Sequence, residues 1–506
     1  MSRKHQLAAW VVMAVGAALR LGAITAGAPY RIANDEPFVV GMALRIMQSG
    51  DFNPHFFHYG QLSIYLHTFV AACRFMAGAI AGEWHSLQRV WIGDYLTAAR
   101  IVTAAMGTLT VFLVYRVGLR LGTTVALVGA FIMAVLSPHV RESHFALTDT
   151  PLTLLVTLSL LLSLRAAEQA NVSAVVTAAV VVGLAASVKY NGAVALIMPL
   201  TAALALPAGS RLRGLGLACV ASAAGFLLTS PYTVIDLPGF LNGFADLSSS
   251  YNQGRPFLDA AGNYLKFLRG WFSGPAIVPI NTGYVVLAVS VLGLVLIALR
   301  RNSSLTRIGA CILLVFPVLW FTMLSKQGSL QYGRYLLPIA PVLCLGLATA
   351  LVTGWVQSAR FTAAWRWSLR VPLLAVLVLV SSAAFGWVRD HARPRTEELA
   401  SAWLVRTVTE GETVGVEAAA ILLPHSVRVH AMQRLVDQPA AYYRLHGIKY
   451  LVTTAAETDR YFKRPFVNAK ELDAFRELVA QTQELATFEP SAKTPGPRIS
   501  ILRIRP

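Results

Sequence analysis

At residues 95–122 the chain reads YLTAARIVTAAMGTLTVFLVYRVGLRLG. Between Arg100 and Arg116 this stretch contains no charged residue and is rich in Ala, Val, Leu and Thr. A helix of about 20 apolar residues is long enough to cross the hydrocarbon core of a bilayer, where an ionised side chain is costly. The stretch therefore predicts a membrane-spanning helix.

The same apolar pattern recurs along most of the chain. Hydrophobic residues make up 56% of the 506 residues and charged residues only 13%, whereas soluble domains carry about 25% charged residues. With 97–117 there are eleven candidate spans, which predict an α-helical polytopic membrane protein. The other ten lie at 7–28, 122–138, 150–165, 173–188, 190–207, 214–232, 282–299, 308–325, 335–355 and 371–388.

A change in charge content divides the chain after residue 388. The tail, residues 389–506, contains 17 of the 43 Lys and Arg residues and 14 of the 25 Asp and Glu residues. Its segments EELASAWLVRTV (397–408), IKYLVTT (448–454) and ISILRI (499–504) have the periodicities of a helix and two strands. We therefore predict a transmembrane domain over 1–388 and a small soluble α/β domain over 389–506.

The stretch 61–82 is long enough to cross the membrane, yet it carries His67 and Arg74. The positive-inside rule decides between the alternatives. If 61–82 does not cross, the inner loops hold 13 of the 26 Lys and Arg residues of the membrane part, and Glu168 is the one acid among them. We therefore predict that 61–82 is a juxtamembrane or re-entrant helix in a first outer loop, 29–96. The N-terminus then lies on the cytoplasmic side of the membrane and the tail on the extracytoplasmic side.

The formal net charge of +18 is also typical of nucleic-acid-binding proteins. Here the basic residues lie between apolar runs rather than in one patch, which argues against a nucleic-acid partner. The four cysteines, Cys73, Cys219, Cys311 and Cys344, fall in apolar stretches without metal-ligand spacing. Their positions predict buried thiols.

The predicted outer segments contain acids whose place beside a membrane needs a reason. Asp35 and Glu36 follow the first span in PYRIANDEPF (29–38). They either favour a helix N-terminus before Pro37 or provide a general base. Asp149 precedes Pro151 and predicts a helix N-cap, a role that is compatible with function.

Several cations lie at the outer ends of predicted spans: Arg100, Arg141, Lys189, Lys326 and Arg334. Each of them either snorkels to the membrane interface or joins the others in holding a phosphate. Arg100 is expected to be exposed and to contribute little to packing. His139 and His144 are either a metal-binding pair or ordinary interfacial histidines.

The order of several segments resembles that of the GT-C glycosyltransferases, in the group that contains the protein O-mannosyltransferases and the bacterial lipid A aminoarabinose transferases. The segments that carry the resemblance are the Asp35–Glu36 pair, HFFHYGQLSIYL (55–66), the stretch 95–122, SPHVRESHFALTDTPL (137–152), GLAASVKYNGAVAL (183–196) and GRYLLPIAP (333–341).

This resemblance implies a polyprenyl-phosphate sugar donor, with a lipid, a glycan or a protein as acceptor. Transfer would take place at the outer face of the inner (plasma) membrane. Asp35 would activate the acceptor as general base, with Glu36 and Asp149 as the other catalytic candidates. The donor phosphate would be bound by Arg100, Lys189, Lys326 and Arg334.

The proposed chemistry is an inverting transfer in one displacement. Candidate substrate or metal contacts are His55, His58, Tyr59, His139 and His144. Tyr59 begins the sequence YGQL, which stands where many relatives have a Pro-Pro-Leu type sequence. No cofactor follows from the pattern, although some relatives use a divalent metal cation.

The rival class is a transporter or lipid flippase, which the many spans would also suit. The acids and cations gather on one face of the membrane rather than at its midplane, and no internal repeat is visible, which favours the enzyme.

Overall fold

The computed structural model describes residues 3–30, 35–251, 255–273, 281–299, 305–327, 330–409, 411–417, 421–424, 426–463 and 468–505. The chain forms two compact units. The first comprises Met1–Ile24, Arg45–Ala71 and Ala99–Val388. The second comprises Thr25–Leu44, Ala72–Ala98 and the tail, Arg389–Pro506.

Helices make up nearly all of the described residues before the tail. In chain order they are Arg3–Leu21, the π-helix Pro37–Gly41, Met42–Ser49, Leu62–Ile80, Leu87–Arg89, Ile92–Gly118, Thr123–Ala134, Ser137–Glu142, Asp149–Gln169, Val172–Val188, Tyr190–Leu196, Ile197–Ala203, Ala208–Thr229, Tyr232–Ile235, Leu237–Tyr251, Phe257–Trp271, Thr282–Leu299, Arg307–Lys326, Gly333–Ile339, Ala340–Ser358 and Ala363–His391.

Eight helical segments of the described chain are long and apolar enough to cross a membrane. They are Leu62–Ile80, Ile92–Gly118, Asp149–Gln169, Ala208–Thr229, Thr282–Leu299, Arg307–Lys326, Gly333–Ser358 and Ala363–Thr407, and shorter apolar helices lie at Thr123–Ala134, Val172–Val188 and Tyr190–Ala203. The predicted helical polytopic architecture is confirmed. The number of crossings and their orientation stay predictions.

Small residues allow the helices of the first unit to pack closely. At Gly293 and Gly346 the helices Thr282–Leu299 and Ala340–Ser358 meet so closely that a Cβ on Gly293 would collide with the carbonyl of Gly346. A Cβ on Gly183 would likewise strike the carbonyl of Ser222 on the helix Ala208–Thr229. Such contacts between backbones are typical of helix packing in membranes, where van der Waals contact replaces the hydrophobic effect.

The segment 61–82 forms the helix Leu62–Ile80, which satisfies the length and composition of a span. Its predicted position beside the membrane rather than across it stays a prediction. The predicted burial of the cysteines is wrong for three of them, since Cys73, Cys219 and Cys311 are exposed and only Cys344 is buried. An apolar stretch of a membrane helix has a side that faces lipid, so apolar neighbours do not imply burial in protein.

The tail contains a mixed five-stranded sheet. Its strands are β1 (Thr413–Glu417), β2 (Arg428–Met432), β3 (Ile448–Thr454), β4 (Thr482–Phe488) and β5 (Ile499–Ile504), in the order β2-β1-β3-β5-β4. β1 runs parallel to β2 and β3, whereas β5 is antiparallel to β3 and β4. The helices of the tail are Thr396–Thr407, Leu435–Asp437, Ala440–Leu445, Ala455–Lys463 and Ala469–Ala480. The predicted α/β class of the tail is confirmed.

Candidate active site

The candidate site is built on two consecutive helices of the first unit. Asp149 is the first residue of Asp149–Gln169, and Lys189 is the C-cap of Val172–Val188. The connection between these helices is short, at Ala170 and Asn171, and the helices pack against each other. Because they run in opposite directions, the start of the first lies beside the end of the second. The helix dipole stabilises a negative charge at a helix N-terminus and a positive charge at a helix C-terminus, which are the positions of Asp149 and Lys189.

Asp149 forms a buried cluster with two cations. Its Oδ1 lies 2.9 Å from Nζ of Lys189, and its Oδ2 lies 3.4 Å from Nε of Arg334. The side chains are 3% exposed for Asp149, 9% for Lys189 and 18% for Arg334. The positive charges of the two cations compensate the negative charge of the buried carboxylate. The sequence predicted Asp149 as the N-cap of this helix. In the structure Thr148 is the N-cap, without a side-chain capping bond, and Asp149 is the first helical residue.

Aromatic rings surround the two cations. Nζ of Lys189 lies 4.0 Å from the ring centroid of Tyr335, and the guanidinium carbon of Arg334 lies 4.7 Å from the ring of Tyr332. The hydroxyls of Tyr335 and Tyr251 are 2.9 Å apart. Ring faces stabilise cations at such distances, so the ammonium of Lys189 is held by a carboxylate and an aromatic ring together.

A cavity of about 280 Å³ opens beside Lys189. Its walls are mainly aromatic and hydroxyl-bearing, with two amide side chains. The lining residues are His58, Tyr59, Lys189, Tyr190, Asn191, Phe244, Leu247, Ser248, Tyr251, Gln327 and Tyr335. Pockets of this kind, with few polar groups on apolar walls, are typical of small-molecule sites.

The segment 55–62 reaches this cavity through hydrogen bonds to Tyr190. The Tyr190 hydroxyl donates to the carbonyl oxygens of Phe57, at 2.9 Å, and Tyr59, at 3.0 Å. Gly60 then passes against the backbone of Ser187, where a Cβ would collide with the Ser187 carbonyl. The close approach of the two backbones explains the glycine in YGQL, because any side chain at residue 60 would collide with Ser187.

Of the predicted site residues, Lys189, His58 and Tyr59 line the cavity, while Asp149 and Arg334 contact Lys189 or its aromatic neighbours. Lys326 is the exposed last residue of Arg307–Lys326 and is not among the lining residues.

Arg100 is 1% exposed, which contradicts the expectation that it is an exposed side chain. Its guanidinium carbon lies 5.6 Å from the ring of Phe145, and it is not among the cavity-lining residues. Arg100 lies in the third turn of the helix Ile92–Gly118, and its side chain packs inside the protein instead of ending in water. Replacing it therefore perturbs packing as well as charge.

His139 and His144 are fully or nearly fully buried, at 0% and 1% exposed. Nδ1 of His139 accepts a hydrogen bond from Arg20 at 2.8 Å. Both ring nitrogens of His144 lie 2.8 Å from backbone carbonyls, those of Val140 and Gly22. Burial lowers the pKa of both imidazoles, and the charge of Arg20 adds to this for His139.

His55 lies outside the cavity lining. Its Nε2 is 2.8 Å from Oδ2 of Asp51, and both side chains are about half exposed. The hydrogen bond to His55 is the largest cause that lowers the pKa of Asp51. Asn53, between them, donates to Oδ2 of Asp236 at 2.8 Å, which ties this loop to the helices that follow Ser230.

Asp35 and Glu36 belong to the second unit. Glu36 is fully buried, and Asp35 is partly buried. The backbone carbonyl of Asp35 accepts from the amide of Phe38 at 3.2 Å, and Glu36 is the N-cap of Pro37–Gly41 without a side-chain capping bond. Their neighbour Asn34 lies outside the described residues.

Within the described ranges, no group of three or more His, Cys, Asp or Glu side chains is placed to hold a metal ion. The described residues therefore do not form a ligand set for a metal ion.

Sequence reasoning missed most of the cavity wall, including Tyr190, Tyr251, Tyr335 and Gln327. Some of these could have been found, since Tyr190 follows Lys189 and Tyr335 follows Arg334 directly. Gln327 carries the same signal, since it follows the predicted cation Lys326, whereas Tyr251 carries none and reaches the cavity only through helix packing.

Known proteins share this architecture. The family model of dolichyl-phosphate-mannose-protein mannosyltransferase matches residues 87–235. ArnT from Cupriavidus metallidurans, in a structure with undecaprenyl phosphate, is similar with a TM-score of 0.55 at 14% identity, over 98% of this chain and 97% of that one. The oligosaccharyltransferase AglB from Archaeoglobus fulgidus, in complex with an inhibitory peptide and a dolichol phosphate, is similar with a TM-score of 0.54 at 14% identity, over 98% and 74%. No curated protein matches the chain in sequence.

The chain is a multi-pass membrane protein with the GT-C fold. More particularly, it is similar to glycosyltransferases with this fold: residues 87–235 match the protein mannosyltransferase family model, and the fold as a whole is similar to that of ArnT. The resemblance seen in the sequence is thus confirmed.

Proposed function

We propose that the chain transfers a sugar from a polyprenyl-phosphate-linked donor to an acceptor at the extracytoplasmic face of the inner membrane. The observation that carries the proposal is the pair of cations, Lys189 and Arg334, held by Asp149 at the edge of an aromatic cavity. Structural relatives in complexes with undecaprenyl phosphate and dolichol phosphate support a lipid phosphate as the ligand.

In this proposal the cavity binds the part of the donor at which the phosphate is linked to the sugar. Lys189 binds a phosphate oxygen, and Arg334 adds a second positive charge. The tyrosine rings and the amide groups of Asn191 and Gln327 suit a sugar, because rings stack on apolar faces and amides bond hydroxyls.

The transfer is an inverting displacement. Asp35 takes the proton from an acceptor hydroxyl or amine while the acceptor atom forms a bond to the anomeric carbon. The bond between that carbon and the phosphate oxygen breaks, and the electron pair leaves with the polyprenyl phosphate. Lys189 and Arg334 stabilise the charge that develops on this leaving group. Glu36 is the alternative candidate for the general base.

The test uses purified full-length protein and a polyprenyl-phosphate-linked sugar. We expect release of polyprenyl phosphate that depends on an acceptor, with inversion at the anomeric carbon seen by NMR. Retention of configuration would contradict the single displacement. If no polyprenyl phosphate is released with any sugar donor, whether the acceptor is a lipid, a glycan or a peptide, the proposed reaction is contradicted.

A further inference from the structure

A second cavity is lined by residues of the tail alone. It measures about 560 Å³ and sits at one end of the five-stranded sheet. Four of its lining residues are basic, and we name it the basic cleft. The lining consists of Arg444, Gly447, Ile448, Lys449, Gln483, Arg503, Ile504 and Arg505.

The basic side chains of the cleft come from separate parts of the tail. Arg444 lies in the last turn of Ala440–Leu445, Lys449 lies in β3, and Arg503 lies in β5. Arg503 pairs with Tyr450 of β3 on one side and Gln483 of β4 on the other. The amide of Arg505 donates to the carbonyl of Gln481 at 3.0 Å. Ladder bonds on both sides therefore fix the backbone of Arg503, and the bond to Gln481 fixes that of Arg505, before any ligand binds.

Most other arginines of the tail have a carboxylate partner. Examples are Arg434 with Asp437 and Arg498 with Glu489. Within the described residues, by contrast, Arg503 and Arg505 form no ion pair, and Arg444 donates to the neutral amide of Gln481.

One carboxylate lies beside the cleft. Oε1 of Glu412 lies 2.7 Å from Nζ of Lys449, and this hydrogen bond is the largest cause that lowers the pKa of Glu412. The four cations thus share a single acid among the described contacts, which leaves an excess of positive charge. Cations gathered without acids repel one another, so an anionic ligand would stabilise the cleft.

We propose that the basic cleft binds a ligand that carries two phosphate groups. Arginine forks bind phosphate oxygens in pairs, and three of the four cations are arginines. A single phosphate monoester carries a charge of about −1.5 to −2, which is less than the excess on the cleft. A diphosphate matches the charge better. It can come from a soluble molecule or from the headgroup of a lipid.

The experiment uses the full-length protein in nanodiscs of neutral lipid. Inorganic pyrophosphate is titrated in one arm and a short-chain lipid diphosphate in the other, each by calorimetry at low and at physiological salt. The variants are Arg503→Gln with Arg505→Gln together, and Lys449→Gln alone. Arg476→Gln is the matched control, because Arg476 is 65% exposed on another part of the tail.

We expect pyrophosphate to bind the unchanged protein and the double variant to bind it roughly tenfold to hundredfold more weakly, since charge-assisted hydrogen bonds are lost. The control should bind as the unchanged protein does. Binding of the lipid probe alone, lost in the same variant, also supports the cleft and assigns the lipid source. Absence of binding by both probes, or equal binding by the double variant and the unchanged protein, overturns the proposal. Melting curves of the variants are compared first, and Lys449→Gln repeats the test if the double variant unfolds.

Discussion

Replacing Lys189 by methionine tests the proposed donor site most directly. Methionine keeps a flexible chain of similar length but removes the ammonium. In the structure this ammonium is 2.9 Å from Oδ1 of Asp149 and 4.0 Å from the Tyr335 ring, and it borders the cavity. The change therefore removes a phosphate ligand and one half of a buried ion pair at once.

The two losses have different sizes and different readouts. Removing one partner of a buried pair costs about 3–5 kcal/mol, and the lower end, about 3 kcal/mol, applies here because Arg334 still holds the other oxygen of Asp149. A charge-assisted hydrogen bond to the donor phosphate is worth about 1.5–3 kcal/mol, so the Kd for polyprenyl phosphate should rise roughly tenfold to hundredfold.

The assay is binding of undecaprenyl phosphate to detergent-purified protein, followed by tryptophan fluorescence, below the melting temperature of the variant. Lys189→Arg should restore most of the affinity, and Lys4→Met, an exposed lysine of the first helix, is the charge-matched control. Asp149→Asn combined with Lys189→Met shows whether the stability loss comes from an orphaned carboxylate, since the double variant should then be more stable than Lys189→Met alone. Unchanged affinity in folded Lys189→Met would refute the assignment of this cation to the donor phosphate.

Three further changes test other parts of the molecule. Asp35→Asn should lower transfer about 10²–10⁴-fold while donor binding persists, as judged by turnover and the fluorescence assay together; near-normal turnover would transfer the base role to Glu36. Burial raises the pKa of Glu417 from 4.5 to about 7, so the unfolded tail ionises first as pH rises, and stability should fall by about 3 kcal/mol between pH 4.5 and 7; Glu417→Gln should flatten this pH dependence of thermal unfolding, and a slope equal to that of the unchanged protein would contradict it. Gly293→Val should destabilise the first unit by several kcal/mol, since the new side chain meets the Gly346 carbonyl, whereas Gly262→Ala, at a position with open space, should leave the melting curve nearly unchanged.

Hydropathy predicted the apolar helices well because the bilayer imposes its requirement on each segment separately. Every predicted span overlaps a helix or helical pair, and 190–207 became the broken pair Tyr190–Leu196 and Ile197–Ala203. The helix Arg3–Leu21, predicted as the first span, is not among the eight described segments that satisfy the length and composition of a span. The tail was equally visible, since its charge content and its alternating strands contrast with what precedes it. Burial of single side chains was less predictable, as the exposed Cys219 and the buried Arg100 show.

The sequence by itself determined that this protein is a polytopic membrane protein with an α/β tail, and the order of its motifs indicated the GT-C superfamily. It also marked Asp149, Lys189 and Arg334 as candidates, one at a time. Only the tertiary structure decided that these three meet, that Tyr251 and Tyr335 wall the cavity beside them, and that four basic residues of the tail share one cleft. The physical reason is range: hydropathy and capping act between near neighbours, whereas these contacts join residues far apart in the chain and exist only after helices and strands have packed.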